Sequence, residues 1–112
     1  MIGIDLVEHK DIYDKSEAFI KRVLSEMEFA IYQKITNKKR QVEYIASRFA
    51  SKEALLKAYK KFPQHIDLKD ISILNDPQTN APYISCSKLN DKLEISITHT
   101  DNYSMAVVIL HP

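Results

Sequence analysis

The spacing of apolar residues changes character at Pro63. Upstream, from Asp11 to Tyr59, they recur at the three-to-four residue period of an α-helix. Downstream they alternate with polar residues, the period of a half-buried strand. Pro63 ends the helical part, because proline lacks the N–H and its ring clashes with the preceding turn. One extended segment comes before the helices, where Ile2, Ile4 and Leu6 alternate with Gly3, Asp5 and Val7. Both sets are largely apolar, so this strand is expected to be covered on both faces. Strand, helices, then consecutive strands specify an α+β fold with an amino-terminal strand, three helices and an antiparallel sheet.

Local signals mark the elements. Asp11 is placed to cap a helix over roughly residues 12–23. Ser25 with Glu28 three positions later is a capping box, opening a helix of about residues 26–35 that carries Met27, Ala30 and Ile31. Asn37-Lys38-Lys39-Arg40 starts a longer helix that runs to about Tyr59. On it Ile45, Phe49 and Leu56 fall within about 40° of one another, and Ala46, Ala50, Glu53 and Lys57 form the neighbouring face. Strands are expected at Ile71–Leu74, Tyr83–Cys86, Leu93–Thr98 and Tyr103–Leu110, with turns at Asn75–Asn80 and Thr100–Asn102. With no repeat, linker or low-complexity stretch, residues 1–112 read as one domain.

Composition narrows the function classes. The 16 basic and 15 acidic residues leave a net charge of +1, so no global field points to nucleic acid. No apolar stretch approaches the ~20 residues of a membrane span, and no signal peptide is expected. Cys86 is the only cysteine, so no internal disulfide can form, which suits a reducing cytoplasm. It is expected to pack rather than to react. Gly3 is the only glycine, which argues against a Gly-rich phosphate loop. A domain this small buries about two-thirds of its unfolded surface and would gain from an interface with other subunits.

A few residues suggest chemistry. Asp5 sits among Ile2, Ile4 and Leu6 and needs a partner if it is buried, with Gly3 leaving room on the same face. Glu53 lies on the alanine-rich helix face, with Lys57 at i+4. Two carboxylates from distant positions suit Mg²⁺, which takes one or two carboxylates and completes its shell with water and substrate phosphates. Lys57 could then hold a phosphate oxygen. The plainer readings are an Asp5 facing water at a strand end and an ordinary surface pair worth about 0.3–0.5 kcal/mol. His99, between Thr98 and Thr100, is either a turn residue or part of an anion site. His9, His65 and His111 lack the spacing of a zinc motif and read as surface residues. Two basic clusters, one with Lys10, Lys15, Lys21 and Arg22 and one at Lys38-Lys39-Arg40, are either solvated faces or docking points for an acidic partner.

Four segments together resemble the bacterial holo-acyl-carrier-protein synthases, a family of 4′-phosphopantetheinyl transferases. Gly3-Ile4-Asp5-Leu6-Val7-Glu8 is similar to their amino-terminal motif, and Phe19 to Leu24 followed by Glu28 to their Phe-x-x-Arg-hydrophobic-Leu segment. Arg48 to Ala58 resembles the central signature, and Ser96-Ile97-Thr98-His99-Thr100 with Tyr103 the carboxy-terminal one. The resemblance implies the phosphopantetheinyl transferase fold and a cytoplasmic enzyme of fatty acid biosynthesis. Such an enzyme transfers 4′-phosphopantetheine from coenzyme A to a serine of acyl carrier protein and leaves 3′,5′-ADP. It implies Mg²⁺ held by Asp5 and Glu53, with catalysis by Glu53 and Lys57. Coenzyme A would be bound by Arg48, Lys57 and His99, and the carrier protein by Arg22; with Asp11 where many members have arginine, carrier docking is expected to lean on Arg22, Lys15 and Lys21. It also implies a homotrimer with sites at subunit interfaces, and no nucleic acid or membrane partner. The chain departs from the pattern in three places. Tyr59-Lys60-Lys61-Phe62-Pro63 replaces a Gly-Thr-Gly-like loop, Asn80-Ala81-Pro82 stands for Gly-x-Pro, and Asp11 stands where many members have arginine. The competing readings are a non-catalytic trimeric binder of coenzyme A or nucleotide phosphates, a transferase serving another carrier, and a protein–protein module built on the basic first helix.

Overall fold

The computed structural model describes residues 1–112. In chain order the elements are β1 (Ile2–Glu8), α1 (His9–Tyr13), α2 (Glu17–Val23), α3 (Glu26–Gln33), α4 (Lys38–Ala58), a 3-10 turn (Leu68–Asp70), β2 (Ser72–Asn75), β3 (Pro82–Ser85), β4 (Lys92–His99) and β5 (Tyr103–His111). The α+β order expected from the sequence is the order observed. The strands form two antiparallel sheets, a three-stranded one ordered β1-β5-β4 and the β2-β3 hairpin. In the register Asp5 faces Ala106, Ile97 faces Ala106 from the other side, and His99 faces Ser104.

α4 lies across the inner face of the three-stranded sheet. Ala46, Ala50, Ala54 and Ala58, spaced by four, are all fully buried and form the flat side of that helix. Gly3 completes the fit, since a Cβ there would lie 1.9 Å from the Ala54 carbonyl oxygen and 2.6 Å from the Ala58 nitrogen. The glycine is therefore required for close approach of two backbones. Leu55, Ile71, Ile73 and Val108 fill the core around this contact.

β1 is covered on one face only. Gly3, Asp5 and Val7 turn toward α4, while Ile2, Ile4 and Leu6 are exposed, beside Met105 and Ile109 of β5. The expectation of two covered faces fails within one chain, because all of the helices lie on the other side of the sheet. No helix is long and apolar enough to cross a membrane.

Capping explains where the helices break. The expected helix over residues 12–23 is two helices, and Asp11 lies inside α1 rather than capping it. Ser16 is the cap that wins, accepting a hydrogen bond from the Phe19 N–H at 3.2 Å to open α2. The Ser25–Glu28 capping box and the Asn37 cap are both formed. Asn80 adopts φ 62° in the turn between β2 and β3, the left-handed conformation that asparagine tolerates. In α3 the apolar Met27 and Ile31 point outward and Glu28 is fully buried. The reason is an ion pair. Lys52 on α4, also fully buried, donates to Glu28 Oε1 at 2.5 Å and to the carbonyls of Val23 (2.6 Å) and Leu68 (3.0 Å). Glu28 also accepts from the backbone N–H of Ser25 and of Ile73. Every polar atom of the pair is thus engaged, as burial of charge requires.

Candidate functional site

The Gly3–Ala54 contact brings Asp5 on β1 alongside Glu53 and Lys57 on α4. Lys57 Nζ donates to Asp5 Oδ1 at 2.9 Å and to the Ile4 carbonyl at 3.3 Å. Asp5 and Glu53 both line a cleft of about 340 Å³, together with Asp11, Lys15, Phe19 and Phe49. The lysine is more than half exposed, so the pair is a movable surface contact rather than a buried lock. The hydrogen bond and charge of Asp5 push the Lys57 ammonium to a higher pKa.

Glu53 is held differently. Partial burial pushes its carboxyl above the usual carboxylate range, the like charge of Asp5 adds to this, and Lys57 opposes it. No hydrogen bond offsets the effect. Two facing carboxylates, one of them without a bonded partner, are the oxygen donors a hard divalent cation takes, so these residues fit Mg²⁺. There is no cluster of three or more His, Cys, Asp or Glu that could hold a metal, so an all-protein cage is absent and the remaining positions would go to water or phosphate.

The other candidates lie elsewhere. Lys15 is at the cleft, its ammonium 5.3 Å from the centre of the Phe19 ring. Lys21 and Arg22 are exposed on α2 and line a separate groove with Lys69. Arg48 is buried and turned toward β2. Its Nε donates to the Ile73 carbonyl (3.2 Å) and its terminal nitrogens to Ser47 Oγ (3.1 Å) and Asn75 Oδ1 (2.7 Å), with the guanidinium over the Tyr44 ring. His99 ends β4, two strands from β1, and its ring meets only the Thr100 carbonyl at 3.3 Å. Within one chain, Arg48 and His99 are therefore not brought to the Asp5–Glu53 cleft. Lys60 and Lys61 are exposed, in a loop fastened by the Tyr59 hydroxyl, which donates to Asp91 at 2.7 Å.

Sequence reasoning missed two features. The Glu28–Lys52 pair left one signal, a capping-box glutamate whose side chain had a second use. His9, read as a surface residue, is only 8% exposed. Its isolation from the other histidines gave no sign of burial. His65 is exposed, and His111 pairs with Glu94 near the end of β5. Cys86 is half-buried against the core with a free thiol, packing as expected.

Comparison with known proteins identifies the family. Residues 1–108 match the sequence profile of the 4′-phosphopantetheinyl transferase superfamily. A holo-[acyl-carrier-protein] synthase of Enterococcus faecalis is 42% identical over 112 residues, covering 97% of this chain and 94% of its own. One from onion yellows phytoplasma is 46% identical over 118 residues, covering 97% and 91%. Among solved structures, a holo-(acyl-carrier-protein) synthase of Bacillus anthracis in complex with CoA (3′,5′-ADP) superposes with a TM-score of 0.87 at 31% identity, covering 97% of this chain and 93% of that one. The coenzyme A complex of the Helicobacter pylori synthase gives 0.81 at 32% identity, covering 99% and 100%. The chain belongs to the 4′-phosphopantetheinyl transferase superfamily, and within it to the holo-acyl-carrier-protein synthases.

Proposed function

We propose that residues 1–112 act as one phosphopantetheinyl transferase domain, moving 4′-phosphopantetheine from coenzyme A to a serine of apo-acyl carrier protein for fatty acid biosynthesis in the cytoplasm. The observation that carries this reading is the meeting of Asp5 and Glu53 in one cleft, with Lys57 hydrogen-bonded to Asp5, in a chain that matches the family along nearly its whole length. Asp5 and Glu53 are the residues that would hold Mg²⁺, which when bound neutralises charge on the coenzyme A pyrophosphate.

The serine hydroxyl oxygen attacks the β-phosphorus of coenzyme A. The new bond is serine oxygen to β-phosphorus, and the bond broken joins that phosphorus to the bridging oxygen. The electron pair leaves with 3′,5′-ADP. Glu53, directly or through a bound water, takes the serine proton. Lys57 turns its exposed ammonium from Asp5 to a phosphate oxygen and stabilises charge developing there. Lys15, beside the cleft, and Lys21 and Arg22 on α2 receive the acidic carrier by charge attraction. Arg48, Lys57 and His99 bind coenzyme A, the first and last toward its nucleotide phosphate.

The assembly is a homotrimer with sites between subunits. Two observations support it. His99, exposed at the end of β4, does not reach its own chain's cleft, so a neighbour would have to supply it. The apolar row of Ile2, Ile4, Leu6, Met105 and Ile109 is exposed on one sheet face, which a folded monomer rarely tolerates. The function is tested by chromatographic release of 3′,5′-ADP from coenzyme A. Release that needs both Mg²⁺ and apo-carrier supports transfer. Coenzyme A that is bound and never cleaved favours the non-catalytic reading.

A further inference from the structure

His9 is a buried titratable group that the chemistry above leaves unused. It sits where β1 gives way to α1. Its Nδ1 lies 3.0 Å from the Asp101 carbonyl, and a carbonyl only accepts, so Nδ1 carries a proton and donates. In the neutral ring Nε2 is then the acceptor for the hydroxyl of Ser104, 2.8 Å away and fully buried. The backbone N–H of His9 donates to the Asn102 carbonyl at 2.8 Å. The first residue of α1 thus fastens the turn between β4 and β5, and the start of β5, at three points. Lys39 adds a fourth from α4, through Asp101 Oδ1 at 3.0 Å.

His99, the last residue of β4, leads directly into that turn. Its own ring is exposed and has a single contact, with its neighbour Thr100. Its place is set through the backbone, where it sits opposite Ser104, the residue His9 grips. Ordering an exposed turn in advance lowers the entropy lost when a ligand binds to it.

We propose that His9 is a positioning residue for coenzyme A, holding the His99–Asn102 turn so that His99 meets the nucleotide phosphate. This rests on the role given to His99 above. His9 touches neither the substrate nor the cleft at Asp5, so its effect falls on coenzyme A binding and leaves the transfer step alone.

Three variants test it in steady-state transfer with apo-carrier. H9N can still donate to the Asp101 carbonyl in place of Nδ1, whereas H9Q reaches only toward Ser104, and H9L does neither. H9L and H9Q should raise KM for coenzyme A about tenfold with kcat and the carrier KM within about twofold, and H9N should restore the coenzyme A KM to within about threefold of wild type. Amide exchange should quicken at Thr100 and Tyr103 in H9L and H9Q and not in H9N. The H9N–H9Q pair carries the test if H9L does not fold. An H9Q enzyme with wild-type KM for coenzyme A, or H9N no better than H9Q, overturns the proposal while leaving the transferase reading intact. A wild-type chain that binds no coenzyme A overturns both.

Discussion

Replacing Gly3 by alanine should damage stability and transfer together. The added Cβ would sit 1.9 Å from the Ala54 carbonyl oxygen and 2.6 Å from the Ala58 nitrogen. A carbon–oxygen contact needs about 3.3 Å, so β1 and α4 must separate by about 1.4 Å at this point. Both obstructing atoms are backbone, and no side-chain rotation can relieve them. Overpacking of this kind costs about 1–3 kcal/mol, and the rigidity of the partners favours the upper end. The displacement lies between Asp5 and the helix that carries Glu53 and Lys57. A misplacement of about 1 Å at reacting groups lowers rate about a hundredfold, so kcat should fall by that order. The assays are urea unfolding, read as a lower midpoint at constant m, and transfer at saturating Mg²⁺ and coenzyme A. A Gly3→Ala enzyme with wild-type midpoint and wild-type kcat would refute the close approach and the claim that it assembles the site.

Other outcomes follow from the same contacts. Glu28→Ala strands the Lys52 ammonium in the core, and urea unfolding should show a loss of about 3–5 kcal/mol, while Glu28→Ala with Lys52→Met should recover much of it. Glu53 binds its proton more readily folded than unfolded, so its contribution to stability falls as pH rises through the interval between its ordinary value of 4.5 and its raised folded value. The wild-type midpoint minus that of Glu53→Gln, without divalent metal, should therefore decline as pH rises above the ordinary value of 4.5. Ile4→Glu places charge in the exposed apolar row; if the proposed trimer forms through that row, sedimentation should show a trimer for the wild type and a monomer for Ile4→Glu, with transfer lost alongside it.

Much of the fold was legible in the sequence because capping and periodicity are local. Ser25, Asn37 and Pro63 act through neighbours a few residues away, and the elements they bound were expected close to where they lie. Asp11 was misjudged as a cap because Ser16, with a hydroxyl free to reach the Phe19 N–H, competed for the same helix. The site was partly legible. The spacing of Glu53 and Lys57 was visible on a helical wheel, and Asp5 stood out as a charge in an apolar strand. Their meeting was not visible, since it depends on Gly3 docking against Ala54 across fifty residues of chain. The outward face of β1 was misread for a related reason. Periodicity tells which residues share a face, and only the placement of the helices tells which face is covered. His9 and Lys52 were hidden because a buried polar group is recognised by its partners, and Ser104 and Glu28 lie far away in sequence.

The central claim is that Asp5 and Glu53 serve one transfer reaction from coenzyme A. Its most direct test is the intact mass of apo-acyl carrier protein after incubation with this chain, coenzyme A and Mg²⁺. The account predicts a gain of one phosphopantetheine on the carrier serine, lost with Asp5→Ala and with Glu53→Ala while both variants stay folded. A carrier left unmodified by the wild-type chain, or modified equally by both variants, would contradict it.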